Sequence, residues 1–455
     1  MDDQKNMIIA AVLSFMVIML WTFYFAPPPP EPTYETVEVS QDGAPAPQGQ
    51  TGGAAQTGST PESGDSEQGG GEAANITIDT PSLIGSFSLK GGRIDNLSLK
   101  NYRDNLDEGS DIVHQLNPVG DVHPYFAAYG WLPGEGQGTQ TPNPNTLWSV
   151  ESGSALGPGQ PVTLKWDNGA GLIFRRTLSV DDKYMFTVTQ SVENKTSAQI
   201  QLSPYGYVAR RGFPETINFF ILHEGAVGVF DDELKELDYD DMADLPPVGR
   251  SNSEQIPVQQ NGFIGFTDKY WMTAIAPGPG APFTAVFKHT QRATGPEYRT
   301  EALMPLYDIA PGSTTEVTTY LFSGAKEYEA ITGYEETLGI AKFIDSIDWG
   351  WFFFLTKPIF QLLLWVKGFV GNMGWSIIVL TLIIKAALFP LAYRSYVSMS
   401  KMKKLQPEME KIKERVGDDK QAMQKEMMAL YKKEGANPAA GCLPILLQIP
   451  IFFSL

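Results

Sequence analysis

Of the residues in this sequence that could do chemistry, Lys385 stands in the least ordinary place. It sits inside "SIIVLTLIIKAALFPLAYR", residues 376–394, a run otherwise apolar enough for lipid. Nine residues separate it from Ser376, about 14 Å at helical rise, which is near the midplane of a ~30 Å hydrocarbon core. A charge at that depth costs roughly 2.5–3.5 kcal/mol, and apolar neighbours at about −0.3 to −0.6 kcal/mol each can offset it. Insertion is therefore feasible, but feasibility does not explain the lysine. Ionisable groups at membrane depth normally face protein or a water-filled cavity. Thr381, four residues earlier, adds a polar group on the same helix face.

Three readings of Lys385 follow. Its stem could snorkel to the surface, although Arg394 is nine residues further on. It could pair with an acid on another span, although no acid occurs in 349–391 or 441–455. Or it could stand in a hydrated groove and meet a passing polar or acidic guest. The third is favoured, because intramembrane charges are functional by default. No other chemistry competes in this region. The single cysteine, Cys442, can form no intrachain disulfide, and "GEGQG" at 134–138 lacks the Lys-Ser/Thr ending of a nucleotide-binding loop. The four histidines, His114, His123, His223 and His289, show no metal-ligand spacing. No cofactor and no metal are expected.

The elements that hold Lys385 can be read outward from it. The chain has 455 residues and a net charge of −18, which argues against a nucleic-acid partner. The charge is partitioned. Residues 27–348 carry 43 acidic and 19 basic side chains, whereas 392–440 carry 11 basic and 7 acidic. Basic residues beside a span belong on the cytoplasmic side. That orientation puts the acidic region outside and the N-terminus inside.

Residues 1–26 contain "MIIAAVLSFMVIMLWTFYFA", 20 uncharged residues, ~30 Å of helix and enough to span. The rival, a cleaved signal peptide, is disfavoured by the non-basic "MDDQKN" start and by prolines directly after the apolar run. Residues 27–74 are rich in Pro, Gly, Ser and Gln, a disordered linker.

Within 75–325, segments such as "ITIDT", "LIGSFSL", "RIDNLSL", "PVTLKW", "LIFRRTLSV", "YMFTVTQSV", "IQLSPYGYVA", "FTAVFKH" and "EVTTYLF" are short, β-branched and often alternating. Turn clusters such as "KGG", "DNGAG" and "PGPGA" separate them. This predicts an all-β sandwich.

Residues 326–374 turn helical. Ile359, Leu362, Leu363, Val366 and Val370 share a face, while Lys357 and Lys367 interrupt the run. The expectation is an interfacial amphipathic helix with Trp349, Trp351, Trp365 and Trp375 near headgroups. The other reading is a buried core helix of the β region. The second span is 375–393.

In 394–440, Met402, Leu405, Met409, Ile412 and Val416 form a seam spaced 3, 4, 3, 4, and Met423, Met427 and Leu430 continue it beyond "GDD". That predicts a helical hairpin, with Pro407 bending or restarting its first helix. Met402, Leu405, Met409, Met423 and Met427 are its candidate contact residues. Methionine stripes are more often core, and an adaptable docking surface is the alternative. The last residues, 441–455, read as the beginning of a third span that continues beyond this sequence.

Taken together, "GNMGWSII", the charged span, "KMKKLQPEM", "GDDKQ", "NPAAGCLP" and "QIPIF" resemble the core of the YidC/Oxa/Alb family of membrane protein insertases. "FSLKGGRIDNLSLKNY", "GFIGFTDKYWMTAIAP" and "DWGWFFFLTKPIFQLLLW" resemble the periplasmic domain and interfacial helix of its Gram-negative form. The resemblance implies a multi-domain inner-membrane protein: an N-terminal anchor, a periplasmic β-supersandwich, and a helical insertase core with a cytoplasmic hairpin. It implies insertion of nascent membrane proteins, alone or with the Sec translocon, and no enzyme activity. The ribosome and signal-recognition machinery are further expected partners of the hairpin, with the lipid bilayer around the spans. It also implies a substrate groove in which Lys385 holds a position typically occupied by arginine, with Thr381 and Gln448 as polar companions. An anchored periplasmic carbohydrate-binding or carbohydrate-active protein is the alternative. Convergence of His and acidic side chains in a sandwich cleft would favour it. A solute transporter would show paired hydrophobic repeats, and the visible spans show none.

Overall fold

The computed structural model describes residues 74–454 apart from 106, 108, 137, 215, 217–221, 418–419 and 435–442. The expected anchor, and all of the expected linker except Ala74, lie outside the described residues.

Two large antiparallel sheets make the β region. The 11-stranded sheet runs in space through Asn75–Asp79, Leu83–Ser88, Arg93–Arg103, Tyr125–Pro133, Ile200–Arg211, Gly295–Leu303, Phe283–Arg292, Ser251–Val258 and Pro247–Val248. Ile112–Leu116 pairs with the third of these and Tyr307–Ile309 with the fifth. The 9-stranded sheet runs through Glu233–Asp238, Gly225–Phe230, Gly262–Thr267, Trp271–Pro277, Thr314–Ala325, Met185–Asn194, Leu172–Val180, Val162–Asp167 and Ser149–Ser152.

Alternation drives the packing. In Met185–Asn194 the even-numbered residues Phe186, Val188, Gln190, Val192 and Asn194 are buried, while most of the odd-numbered ones are half-exposed. The core between the sheets draws Phe87, Ile94 and Phe287 from the larger sheet and Phe174, Phe263 and Phe266 from the smaller. All nine segments read as strands are strands. This is the supersandwich.

Helices follow. After a one-turn helix, α1 (Tyr239–Ala243), come α2 (Tyr328–Leu338), α3 (Phe353–Val370), α4 (Met373–Val416), α5 (Lys420–Glu434) and α6 (Leu443–Phe453). Glu327 fastens α2 to the sandwich. Its carboxylate accepts from Tyr102 (2.9 Å), Tyr184 (2.7 Å) and Lys183 (3.0 Å). Burial works against ionisation there, but these hydrogen bonds win and hold the carboxyl below its ordinary range.

Between sandwich and α3 lies a polar joint. The His223 backbone N–H donates to Asp348 at 3.0 Å, and Lys357, near the start of α3, pairs with Asp345. Trp349 donates to the Ile344 carbonyl at 3.0 Å, and Lys357 lies over its ring at 5.8 Å. Apart from this joint α3 is well exposed, with Val366 its one buried residue, so it is no core helix of the sandwich. Trp351, Trp365 and Trp375 are exposed, and Trp349 is half-buried in the joint.

Helices α3 and α4 are each long and apolar enough to cross a membrane. α4 differs from expectation in continuity. It runs 44 residues without a restart, joining the span to the first hairpin helix, with Pro390 and Pro407 inside it. Proline removes one N–H and crowds the carbonyl four residues back. Pro407 is exposed, so the Lys403 carbonyl it frees can be hydrated and the helix continues.

Candidate functional site

The segment "GNMGWS" is a joint between two helices. Gly371 ends α3 in the left-handed conformation (φ 74°), its N–H donating to the Lys367 carbonyl at 2.8 Å. Asn372 begins α4, its side chain accepting from the Trp375 N–H at 3.2 Å. Ser376 returns a bond to the Asn372 carbonyl at 2.7 Å. A Cβ on Gly374 would stand 3.3 Å from that capping oxygen. The motif therefore fixes where α4 starts, and with it the rotation of every later side chain.

Two turns on, Thr381 donates to the Ile377 carbonyl at 2.8 Å. Its hydroxyl is satisfied within the helix and remains able to accept. Lys385, one turn further, is exposed. The ion pairs of the helical region among the described residues are Lys357–Asp345, Arg415–Glu426 and Lys433–Glu434. Lys385 belongs to none of them. Gln448 lies half-buried on α6, a helix that touches both α3 and α4. No hydrogen bond among the described residues joins Gln448 to Thr381 or Lys385.

The hairpin closes on its own seam. Leu405 and Leu430 are buried against each other, with Met402, Met409, Ile412 and Tyr431 packed around them. The Tyr431 hydroxyl lies 3.5 Å from the Met409 sulfur. Met423 and Met427 are half-buried, while Met428 is exposed.

A second constellation carried no sequence signal. A cavity of about 360 Å³ opens at one end of the sandwich. His114 reaches it from Ile112–Leu116, His123 from the loop before Tyr125, Arg210 from the end of Ile200–Arg211, Asp268 from the turn between two strands of the other sheet, and Trp271 from the start of the second of them. Arg210 donates to Asp268 at 2.7 Å and to the Tyr239 hydroxyl at 2.8 Å, which ties the two sheets together. Its guanidinium lies 4.7 Å from the centre of the Tyr125 ring. These groups are up to about 150 residues apart in sequence, so spacing could not reveal them. His and acidic side chains thus do converge in the sandwich. Among the described residues no group of three His, Cys, Asp or Glu could hold a metal.

Comparison with known proteins bears on the whole chain. Residues 75–362 match the family model described as the YidC periplasmic domain, and 365–455 match the 60Kd inner membrane protein model. The chain is 51% identical over 482 positions to the membrane protein insertase YidC of Paracoccus denitrificans (strain Pd 1222), covering 100% of this chain and 76% of that protein. It is 54% identical over 472 positions to the membrane protein insertase YidC of Dinoroseobacter shibae (strain DSM 16493 / NCIMB 14021 / DFL 12), again with 100% and 76% coverage. Among solved structures, a galactose mutarotase related enzyme from Lactobacillus acidophilus covers 55% of this chain and 97% of its own, at 11% identity and a TM-score of 0.37. A likeness of that size carries no functional argument. With both parts matched and half the residues shared over its full length, the chain belongs to the YidC family of inner-membrane proteins.

Proposed function

We propose that this chain places newly made membrane proteins into the inner membrane, by non-covalent means, with Lys385 as the positive charge that meets the polar flank of an incoming segment. The observation that carries this reading is Lys385 itself: a charge in the apolar half of α4, exposed, and outside every ion pair among the described residues. A permanent carboxylate partner would have spent that charge. With no carboxylate partner among the described residues, the ammonium attracts acidic or polar groups, and the apolar part of the guest supplies the driving energy as it enters lipid. Thr381 and Gln448 are its proposed polar companions. The relatives' shared name, membrane protein insertase, supports the same reading.

In this reading the 11 basic residues of 392–440 face the cytoplasm and the β region faces the periplasm. The Sec translocon, the ribosome and the signal-recognition machinery are proposed partners. Met402, Leu405 and Met409 pack in the hairpin seam and Met423 and Met427 are half-buried, and these residues are its proposed contact set for such partners.

The test is insertion of a single-span substrate in cells depleted of their own insertase. Lys385→Arg should retain insertion, because charge is kept. Lys385→Leu should lose about tenfold, equivalent to ~1.4 kcal/mol of stabilisation. Equal insertion by Leu, Arg and the parent overturns the role given to the charge.

A further inference from the structure

The cavity at the end of the sandwich lies outside anything the insertion reading uses. Its size, about 360 Å³, falls within the ~300–1,000 Å³ typical of small-molecule sites. Its lining is mixed in a specific way. Arg210, Arg211 and Lys269 supply three cations, and Asp104, Glu224 and Asp268 supply three anions, so no net charge selects an ion. His114, Asn117 and His123 add neutral donors and acceptors.

Several of these groups keep capacity in reserve. Only Nη1 of Arg210 is engaged, by Asp268 and Tyr239, and a guanidinium has five donors. Asp268 uses one oxygen on Arg210 and has a second. His114 uses Nδ1 on Ser98 at 3.0 Å, leaving Nε2. Tyr125 contributes its ring, 4.7 Å from the Arg210 guanidinium, while its phenol oxygen is buried in the sandwich core.

The rest of the lining is aromatic. Tyr270 is 56% exposed and lies edge-on to Trp271 at 6.0 Å. Trp271 is held from the other side by Tyr102 at 5.0 Å. Packing between Tyr102 and Tyr270 fixes the indole at the cavity wall. A flat ring beside a charge-balanced set of donors and acceptors suits a molecule with apolar C–H faces and many hydroxyls. It suits an apolar peptide poorly, because burying Arg210 and Asp268 under hydrocarbon would strand their remaining hydrogen-bonding groups.

We propose that this end of the sandwich binds a neutral saccharide of one or two rings, with Trp271 against its C–H face and Arg210, Asp268 and His114 on its hydroxyls. The site is separate from Lys385, so the two functions can be tested apart.

The experiment uses the whole chain in detergent. Methyl glucoside, methyl galactoside, N-acetylglucosamine and maltose are titrated one at a time, and binding is read by saturation-transfer NMR and tryptophan emission. Saturable binding of at least one is expected. Trp271→Ala and Asp268→Asn should weaken it by about tenfold or more. Trp351→Ala, away from the cavity, and Lys385→Leu should leave it unchanged. Near-UV circular dichroism checks that each variant is folded. Asp268→Asn could loosen the link between the sheets, so Trp271→Phe, which keeps a ring, is included and should retain part of the affinity. Absence of saturable binding by all four probes overturns the proposal. So does undiminished binding by Trp271→Ala and Asp268→Asn, or displacement of the bound probe by an apolar peptide alone.

Discussion

Lys326 follows the strand Thr314–Ala325, and its ammonium donates to the Thr267 hydroxyl at 2.8 Å. Burial pulls it down to about 8 from 10.5, against the opposing pull of Asp268, Asp348, Glu224 and Glu236. Because the folded value is depressed, the folded lysine loses its proton first as pH rises. Between about 8 and 10.5 the unfolded chain binds more protons, so stability rises with pH in that window. Below it the charged amine is held at a cost. Denaturant unfolding of the sandwich should show a gain on the order of 2 kcal/mol from pH 8 to 10, and Lys326→Met should remove it. An identical pH slope in both proteins would refute this. At this scale the sequence was only partly legible. Lys385 was visible because its neighbours are all apolar. Arg176 was not, although "LIFRRTLSV" puts it on the face of Phe174 and Leu178. It is buried, donating to the carbonyls of Gly91 (3.1 Å), Gly92 (2.9 Å) and Tyr129 (2.6 Å), with the Trp148 ring 4.8 Å away. An arginine bound to distant main chain has no local signature.

The hairpin shows how an element can overrule one of its residues. Pro407 falls inside α4, yet the seam on either side of it, Met402 and Leu405 before and Met409 and Ile412 after, packs as one surface. A helix-interior proline costs about 3 kcal/mol relative to alanine. Pro407→Ala should therefore stabilise this part of α4 by about 2–3 kcal/mol, seen as slower amide exchange over residues 403–411. No change in exchange would mean that the helix is broken there. The strands tell a related story. Several of those read from the sequence, such as Leu172–Val180 and Met185–Asn194, alternate. Those overlooked, such as Tyr125–Pro133, Gly225–Phe230 and Gly262–Thr267, are buried at nearly every position. Tyr125, Ala127 and Tyr129 face the main core while Phe126, Ala128 and Leu132 join a second cluster on the other side. Burial on both faces erases the period-two pattern that marks a strand.

At the scale of the molecule, the sandwich meets the apolar helices through a small joint: His223 to Asp348, Lys357 to Asp345, and the Trp349 and Tyr328 rings against Phe360. Burial holds Glu236, beside this joint, above the ordinary carboxylate range. Lys357→Met should speed amide exchange over residues 343–360 by about tenfold, roughly 1.4 kcal/mol, with unfolding of the sandwich unaffected. Unaltered exchange would show that the joint is carried elsewhere.

The unbroken α4 has a mechanical meaning. Its 44 residues measure about 66 Å at helical rise, about twice a hydrocarbon core, so in the proposed reading the hairpin rides on the far end of a rod seated in lipid. Tipping that rod by about 10° sweeps its tip through roughly 11 Å. In that reading, a tilt set at Lys385 becomes a displacement of the hairpin several times larger.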